Sequence, residues 1–499
     1  MTNSFFGRER LRQVRPVSFS PVIFLAPPLA ICGAAMADPT LPTIGSTVYN
    51  VTASNASIDG GLTASTGATA ASNAAVINAF ITYASSHGGG TVEIPTAASA
   101  YLCNQLTLAS SVNLQVDTGA TLQNGTPSST LITTSGTTHD IEISGGGTLD
   151  DHATSTSSNN MLSLQNITNL WVRNVTIENS SHEHLVPEKD TNVTIDGVTI
   201  QDPLGYLSNA DGIDYSGSHF LIENCNIADG DDNIVAKAGP TFCSDITIKN
   251  CVIGAGHGIS VGGQTNSGLN GMTVTNCTFN GTDNGFRLKA GIPNGGIVQN
   301  VSFSNSTMTN VKNPIIINSW YNGQDHYGSG EIPGTSLEGN DPQHAFNPAN
   351  PGDPPVTVDE VNNTDAYPFF DNISFSNINA TCAGNYNVAI IYGLNSTPAD
   401  STDQPPRNID SISFSNVNLI GDPSGSWGAD IYYASNLDLS GLNVTATNSP
   451  NFEEYGDTFV PEPATASVAL LGWAGLLLCR QRRKPAHAPV PLSSHTASG

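Results

Sequence analysis

The sequence predicts an all-β chain wound as a single-stranded right-handed parallel β-helix with a short N-terminal capping helix. Three observations carry that expectation. Short alternating runs rich in Val, Ile and Thr recur every 20–30 residues or so, each split by an Asn or Gly, which is the repeat signature of a solenoid. Cys225, Cys251 and Cys277 each follow an Asn and stand 26 residues apart, so they mark one corner of successive coils. The body also has a single stretch of helical character, Ala70 to Ser86.

In chain order, residues 1–37 read as a secretory signal. They have a basic start, an apolar stretch from Val22 to Cys32 and a small-residue site at Ala35-Met36-Ala37. Pro27-Pro28 interrupts the apolar run and argues against a membrane anchor. Residues 38–459 form the expected β-helix body. Its helix at Ala70–Ser86 runs into Gly88-Gly89-Gly90 and would cap the open edge of the first coil. Strand phrases follow at Leu170–Ile177, Val193–Ile200, Phe220–Ile227 and Ile246–Ile253, continuing to Val444. The segment Asn322 to Pro368 is rich in Gly, Pro and Asp and reads as a long loop. Of the six body cysteines, the three equally spaced ones read as a buried ladder. Spacing assigns no disulfide partners, and no zinc-ligand pattern occurs.

Composition bounds the function. The 499 residues carry a net charge of −26, and between Asp38 and Val460 only 8 cations face 40 acids. Such a surface repels nucleic acid and offers no basic amphipathic stretch to anionic lipid. A hydrophobic content of 38% argues against disorder. Cations placed close together in this body therefore need a reason.

Four clusters break the structural monotony: Asn209-Ala210-Asp211, Asp231-Asp232, Gly256-His257-Gly258 and Arg287-Leu288-Lys289. Their steps of 20, 26 and 30 residues are each about one coil, which places them on one face. Asp in a Gly-rich turn is ordinarily turn chemistry, and a single His is ordinarily structural. Adjacent aspartates repel each other, however, and regular pleating would turn one inward, so the pair belongs on a bend. Arg287 and Lys289 alternate and so share a strand face. Carboxylates of divergent pKa suit glycoside hydrolysis, one protonating the leaving oxygen and another activating water. The cations suit a sugar carboxylate.

These clusters resemble, in order and spacing, the Asn-Thr-Asp, Asp-Asp, His-Gly and Arg-Ile-Lys motifs of glycoside hydrolase family 28, the polygalacturonases. Gly89–Pro95 and Gly145–Asp150 look like early coils of that family, and Tyr321 falls where it has a substrate-binding Tyr. The resemblance implies an inverting hydrolase of α-1,4-galacturonosyl linkages in pectic galacturonan. In it Asp231 is the general acid, Asp211 with Asp232 activates water, and His257 supports the acid's protonation. Arg287, Lys289 and Tyr321 bind galacturonate, and Asn209 positions it. Lys237 resembles a Lys of exo-acting and bacterial members and leaves endo against exo action open. Departures are Ala210 for Thr, Leu288 for Ile, and Asn233 where a Cys commonly follows the Asp pair. No cofactor or metal is implied, and a monomer is expected. Three rivals stay open: a rhamnogalacturonan hydrolase, a pectate lyase, and a non-catalytic polysaccharide-binding β-helix.

At the C-terminal end, Pro461-Glu462-Pro463, an apolar segment from Ala464 to Cys479 and the basic Arg480–Lys484 resemble the PEP-CTERM sorting signal of Gram-negative bacteria. That implies export, removal of residues 460–484 by a sorting protease, and delivery to the cell surface or exopolysaccharide. Residues 485–499 are unassigned.

Overall fold

Alternating Val, Ile, Leu and Phe make short strands here because one side of each run can be buried while hydroxyls and amides face out. The computed structural model describes residues 37–291, 294–319, 321, 368–384, 386–393, 409–447 and 451–455. All but Ala37 of the expected signal peptide 1–37, all but Pro368 of the long loop 322–368, the PEP-CTERM-like segment 460–484 and the tail 485–499 lie outside the described residues. Ala37 and Asp38 belong to a separate unit, 1–38, and the strands and the site lie in the unit that begins at Pro39.

Strands run from Val48–Asn50 to Phe452–Tyr455 and pair in parallel ladders from coil to coil. Three sheets result. The first contains the register Ile213, Ile234, Ile259, Phe286, Ile315. The second contains Phe220, Ile246, Met272, Val301, Ile373, Ile412. The third contains Ile200, Ile227, Ile253, Phe279, Met308, Ala380. All of these residues are buried, so like side chains stack on like down the bore. Phe286 and Phe303 stack at 5.0 Å between ring centroids, and Phe375 and Phe414 at 5.1 Å. The result is the predicted parallel β-helix.

The corner between the second and third sheets explains the recurrent Asn or Gly. The backbone there must enter the left-handed region, which Gly and Asn tolerate better than other residues. Gly197, Asn224, Asn250, Asn276, Asn305, Asn377 and Asn416 all do so, with φ between 50° and 65°. Their amides also join coil to coil, with Asn377 Nδ2 donating to Asn305 Oδ1 at 3.0 Å and Asn416 Nδ2 to Asn377 Oδ1 at 3.0 Å. Cys225, Cys251 and Cys277 follow this corner as a buried ladder, and the six cysteines among the described residues are unlinked.

The helix Ala70–Ser86 begins at Thr69, whose hydroxyl accepts from the Ser72 N–H at 3.2 Å. Its buried face, including Val76, Ile77, Phe80 and Ile81, packs on the strands Gly90–Ile94, Tyr101–Cys103 and Leu106–Leu108. It therefore caps the first coils, as expected. A short helix, Ala56–Asp59, and the strand Val48–Asn50 precede it, and the residue pattern signals neither. No helix among the described residues is long and apolar enough to cross a membrane.

The corner sets a clear expectation. Asn250→Ala, which keeps a Cβ at φ 57° and loses the amide, should cost about 1–2 kcal/mol. Asn250→Gly should cost less, as read from denaturant midpoints.

Candidate active site

The first sheet builds the site by repetition. Asp211, Asp232, His257, Asn284 and Asn313 each stand two residues ahead of the registered core residues Ile213, Ile234, Ile259, Phe286 and Ile315. Glu183 stands two ahead of Leu185, which is in register with Ile213. Six polar residues separated along the chain thus form one column at the entry ends of six strands. Asp231 precedes Asp232 on a bend, as the like-charge argument required. Gly262 lies between the positions of Lys237 and Lys289 on neighbouring coils. It must be glycine, because its φ is 107° and a Cβ would lie 1.7 Å from the Lys289 carbonyl oxygen.

All nine predicted residues line one cavity of about 410 Å³: Asn209, Asp211, Asp231, Asp232, Lys237, His257, Arg287, Lys289 and Tyr321. A second cavity of about 630 Å³ shares Glu183, Lys237, Lys289 and Tyr321 with it.

Asp232 is the buried centre, 1% exposed. Its Oδ1 accepts from the Arg287 guanidinium and from Ser260 Oγ at 3.0 Å, and its Oδ2 from Lys289 Nζ at 2.9 Å. Burial alone would raise its pKa, but Arg287 and then Lys289 outweigh burial and hold it well below the usual carboxylate range. Arg287 and Lys289, on either side of the inward-facing Leu288, are 2% and 3% exposed. From the sequence these cations suit a sugar carboxylate, whereas their partner in the structure is Asp232. Lys289 also donates to Tyr321 Oη at 3.3 Å and lies 4.6 Å from the centre of its ring.

Two further groupings flank this centre. His257 Nδ1 is 2.9 Å from Asp231 Oδ1, and its Nε2 is 3.7 Å from Asp283 Oδ2. Burial works against the imidazolium, yet the hydrogen bond and charge of Asp231 prevail and raise the His257 pKa. Burial likewise lifts Asp231, but His257 outweighs it and the net shift is downward. A general acid is expected to carry a raised pKa, and Asp231 by itself does not. The raised carboxyl is instead Asp211, which burial pushes up to about 6 against the opposing charge of Lys237. Lys237 Nζ sits 3.3 Å from Asp211 Oδ2 and 3.3 Å from Asp214 Oδ2. Burial drives Asp214 well above the ordinary carboxylate value.

Asn233 takes over the tethering that a cysteine was expected to provide at its position. Fully buried, its amide donates to Ala255 O at 2.7 Å and Asp229 Oδ2 at 3.0 Å, and its Oδ1 accepts from Gly258 N–H at 2.8 Å. It therefore grips the loop on both sides of His257. Asp229 Oδ1 in turn accepts from the Asp231 N–H at 3.1 Å.

Sequence reasoning missed His182, Glu183, Asp283, Lys312 and Tyr386, which also line the cavity. Glu183 was findable from the two-residue offset before a core Leu. Lys312, paired with Asp283 at 2.5 Å, and Tyr386 carry no comparable local signal. Asp231, Asp232 and His257 bring ligand atoms within 4.8 Å of one another, a grouping able to hold a metal ion. Asp232 is already neutralised by two cations, and Asp231 and His257 by each other, so the set favours proton transfer over a divalent ion.

Residues 85–332 match the family described as Glycosyl hydrolases family 28. This stretch is a family 28 glycosyl hydrolase domain. The chain is similar to a polygalacturonase of Medicago sativa, with 40% identity over 31% of this chain and 38% of the relative. It is also similar to an endo-polygalacturonase of Pectobacterium carotovorum subsp. carotovorum, with 30% identity over 45% of this chain and 66% of the relative. The matches thus span less than two thirds of these relatives' own lengths. The fold resembles that of an exopolygalacturonase from Thermotoga maritima, with a TM-score of 0.60 and 16% identity over 82% of this chain and 94% of the other.

In the family 28 domain Asp232 links charge to stability. Its folded pKa lies below the unfolded value of about 3.9, so its contribution is present above that pH and lost as pH falls below it. Asp232→Asn should strand two buried cations and cost about 3–5 kcal/mol at neutral pH. It should also flatten the acid side of the stability curve, as checked by denaturant titration between about pH 1 and 5.

Proposed function

We propose that the family 28 domain hydrolyses α-1,4-galacturonosyl linkages of galacturonan with inversion at the anomeric carbon. The observation that carries this reading is the division of labour among three aspartates in one cavity. Asp231 shares a proton with His257, Asp211 has a pKa of about 6, and Asp232 is held ionised. The names of the curated relatives supply the substrate class.

In this mechanism the Asp231–His257 pair gives its proton, through Asp231, to the glycosidic oxygen as the C1–O bond breaks. Water attacks C1 from the opposite face and loses a proton to the Asp211 carboxylate. Lys237 keeps a fraction of Asp211 ionised and therefore basic near neutrality. Asp232, deeply buried and saturated by donors, is a poor base. It anchors Arg287 and Lys289 beside the scissile linkage, where they and Tyr321 meet the uronate carboxylate. Asn209, exposed at the cavity rim, supplies a polar contact for positioning. The two end segments of the sequence support export of the mature protein to the cell surface or exopolysaccharide.

Wild-type protein should release reducing ends from polygalacturonate, and the first product observed by proton NMR should have inverted anomeric configuration. Asp231→Asn should remove this activity while the protein stays folded. Unsaturated uronide products would instead establish a lyase and overturn the proposal.

The pH profile should be a bell. The rate climbs as Asp211 ionises through about pH 6 and falls when the Asp231–His257 proton is lost, above the ordinary imidazole value of 6.5. Lys237→Met should move the acid limb to higher pH, because it removes the charge that holds the Asp211 pKa down.

A further inference from the structure

The loop that carries Asn209 and Asp211 leaves the strand Thr199–Gln201 at Asp202 and rejoins the first sheet at Ile213. One imidazole joins its two ends. His184 Nε2 lies 2.9 Å from Asp202 Oδ1, at the start of the loop. His184 Nδ1 lies 2.9 Å from the carbonyl oxygen of Asp211, at its end, and the His184 backbone N–H donates to that same oxygen at 2.8 Å. A carbonyl only accepts, so Nδ1 carries a proton. Nε2 therefore faces the Asp202 carboxyl, whose second oxygen is buried and has no hydrogen-bond partner.

A buried carboxyl spent on a single imidazole contact calls for a reason beyond packing, since buried polar atoms are ordinarily satisfied. Both side chains are essentially inaccessible, at 0% and 1% exposed. The rest of the loop is lightly held. Gly205 N–H donates to Asp202 O at 2.9 Å, Leu204 N–H to Asn179 Oδ1 at 2.9 Å, Ala210 N–H to Leu207 O at 3.2 Å and Gly230 N–H of the next coil to Ala210 O at 3.3 Å, while Leu204 and Tyr206 are about half exposed, at 49% and 54%. The imidazole spans what these local bonds do not, from the first residue of the loop to the aspartate at its far end.

We propose that His184, oriented by Asp202, is a positioning residue that sets where the Asp211 carboxylate stands relative to the attacking water. The proposal rests on the reading of Asp211 as the base. It differs from a buried histidine that merely fills space, because a space-filling role would not couple the loop's two ends or discriminate between Asp202 variants.

The test combines hydrogen exchange of the segment 202–211 with kinetics on polygalacturonate, both on the full chain. In His184→Ala the segment should exchange about tenfold faster than in wild type. Its kcat should fall about 100-fold, the scale of a 1 Å misplacement, with KM changed less than about twofold. Asp202→Ala should show the same pattern at about a tenth of the size, and Asp202→Asn, whose amide can donate to Nε2, should recover most of the loss. Unchanged exchange in a folded His184→Ala protein overturns the proposal. Should His184→Ala fail to fold, the Asp202 pair decides, and equal exchange in Asp202→Ala and Asp202→Asn overturns it. Wild-type protein inactive on polygalacturonate would sink the galacturonan reading alone, because the exchange result stands without a substrate.

Discussion

The parallel register between coils is the constraint on which the rest of this structure depends. Each strand of the first sheet bonds to the strand one coil away, so a given position in the repeat recurs about 4.8 Å above its predecessor. Residues far apart in sequence then become neighbours in a column, as Glu183, Asp211, Asp232, His257, Asn284 and Asn313 do. Register is held from inside by stacked Ile, Val and Phe and from the corners by left-handed Asn and Gly. A slip of one residue would turn the core side chains outward and scatter the column.

That register concentrates charge in a chain that has few cations. Every Lys and Arg among the described residues lies within 4.0 Å of a carboxylate, including Lys237 with Asp211, Lys289 with Asp232 and Lys312 with Asp283. The cations of the cleft are therefore committed before any ligand arrives. Their main internal effect is to spread the carboxyl pKa values. Two cations on one aspartate hold it well below the usual carboxylate range, a single shared lysine leaves Asp211 near 6, and deeper burial drives Asp214 well above the ordinary value. On the proposed function, a uronate carboxylate in the cleft would share Arg287 and Lys289 with Asp232, so that its placement would be a matter of geometry more than of net attraction.

Much of the fold was legible in the residues. Period-two runs, the corner Asn and the Cys spacing led to the β-helix, and Ala70–Ser86 has in the structure the limits that its composition suggests. The nine candidate site residues share one cavity because the repeat length itself announces which positions stack. Lys312 was not legible because nothing local marks it as reaching the cavity, and Tyr386 because the segment 322–367 stretches the sequence spacing before its coil. His184 and Asp202 were missed because each, taken alone, looks like an ordinary polar residue at a strand end.

The sequence by itself determined the coil, the column and the identity of the titratable groups, since periodicity and corner chemistry are local properties. Which carboxyl holds a proton was decided only by the tertiary structure. Asp211, Asp214, Asp231 and Asp232 are chemically identical side chains within a short stretch of chain. Their differences arise from depth of burial and from cations up to 57 residues away. Desolvation and Coulomb terms depend on distance through space, which spacing along the chain does not contain.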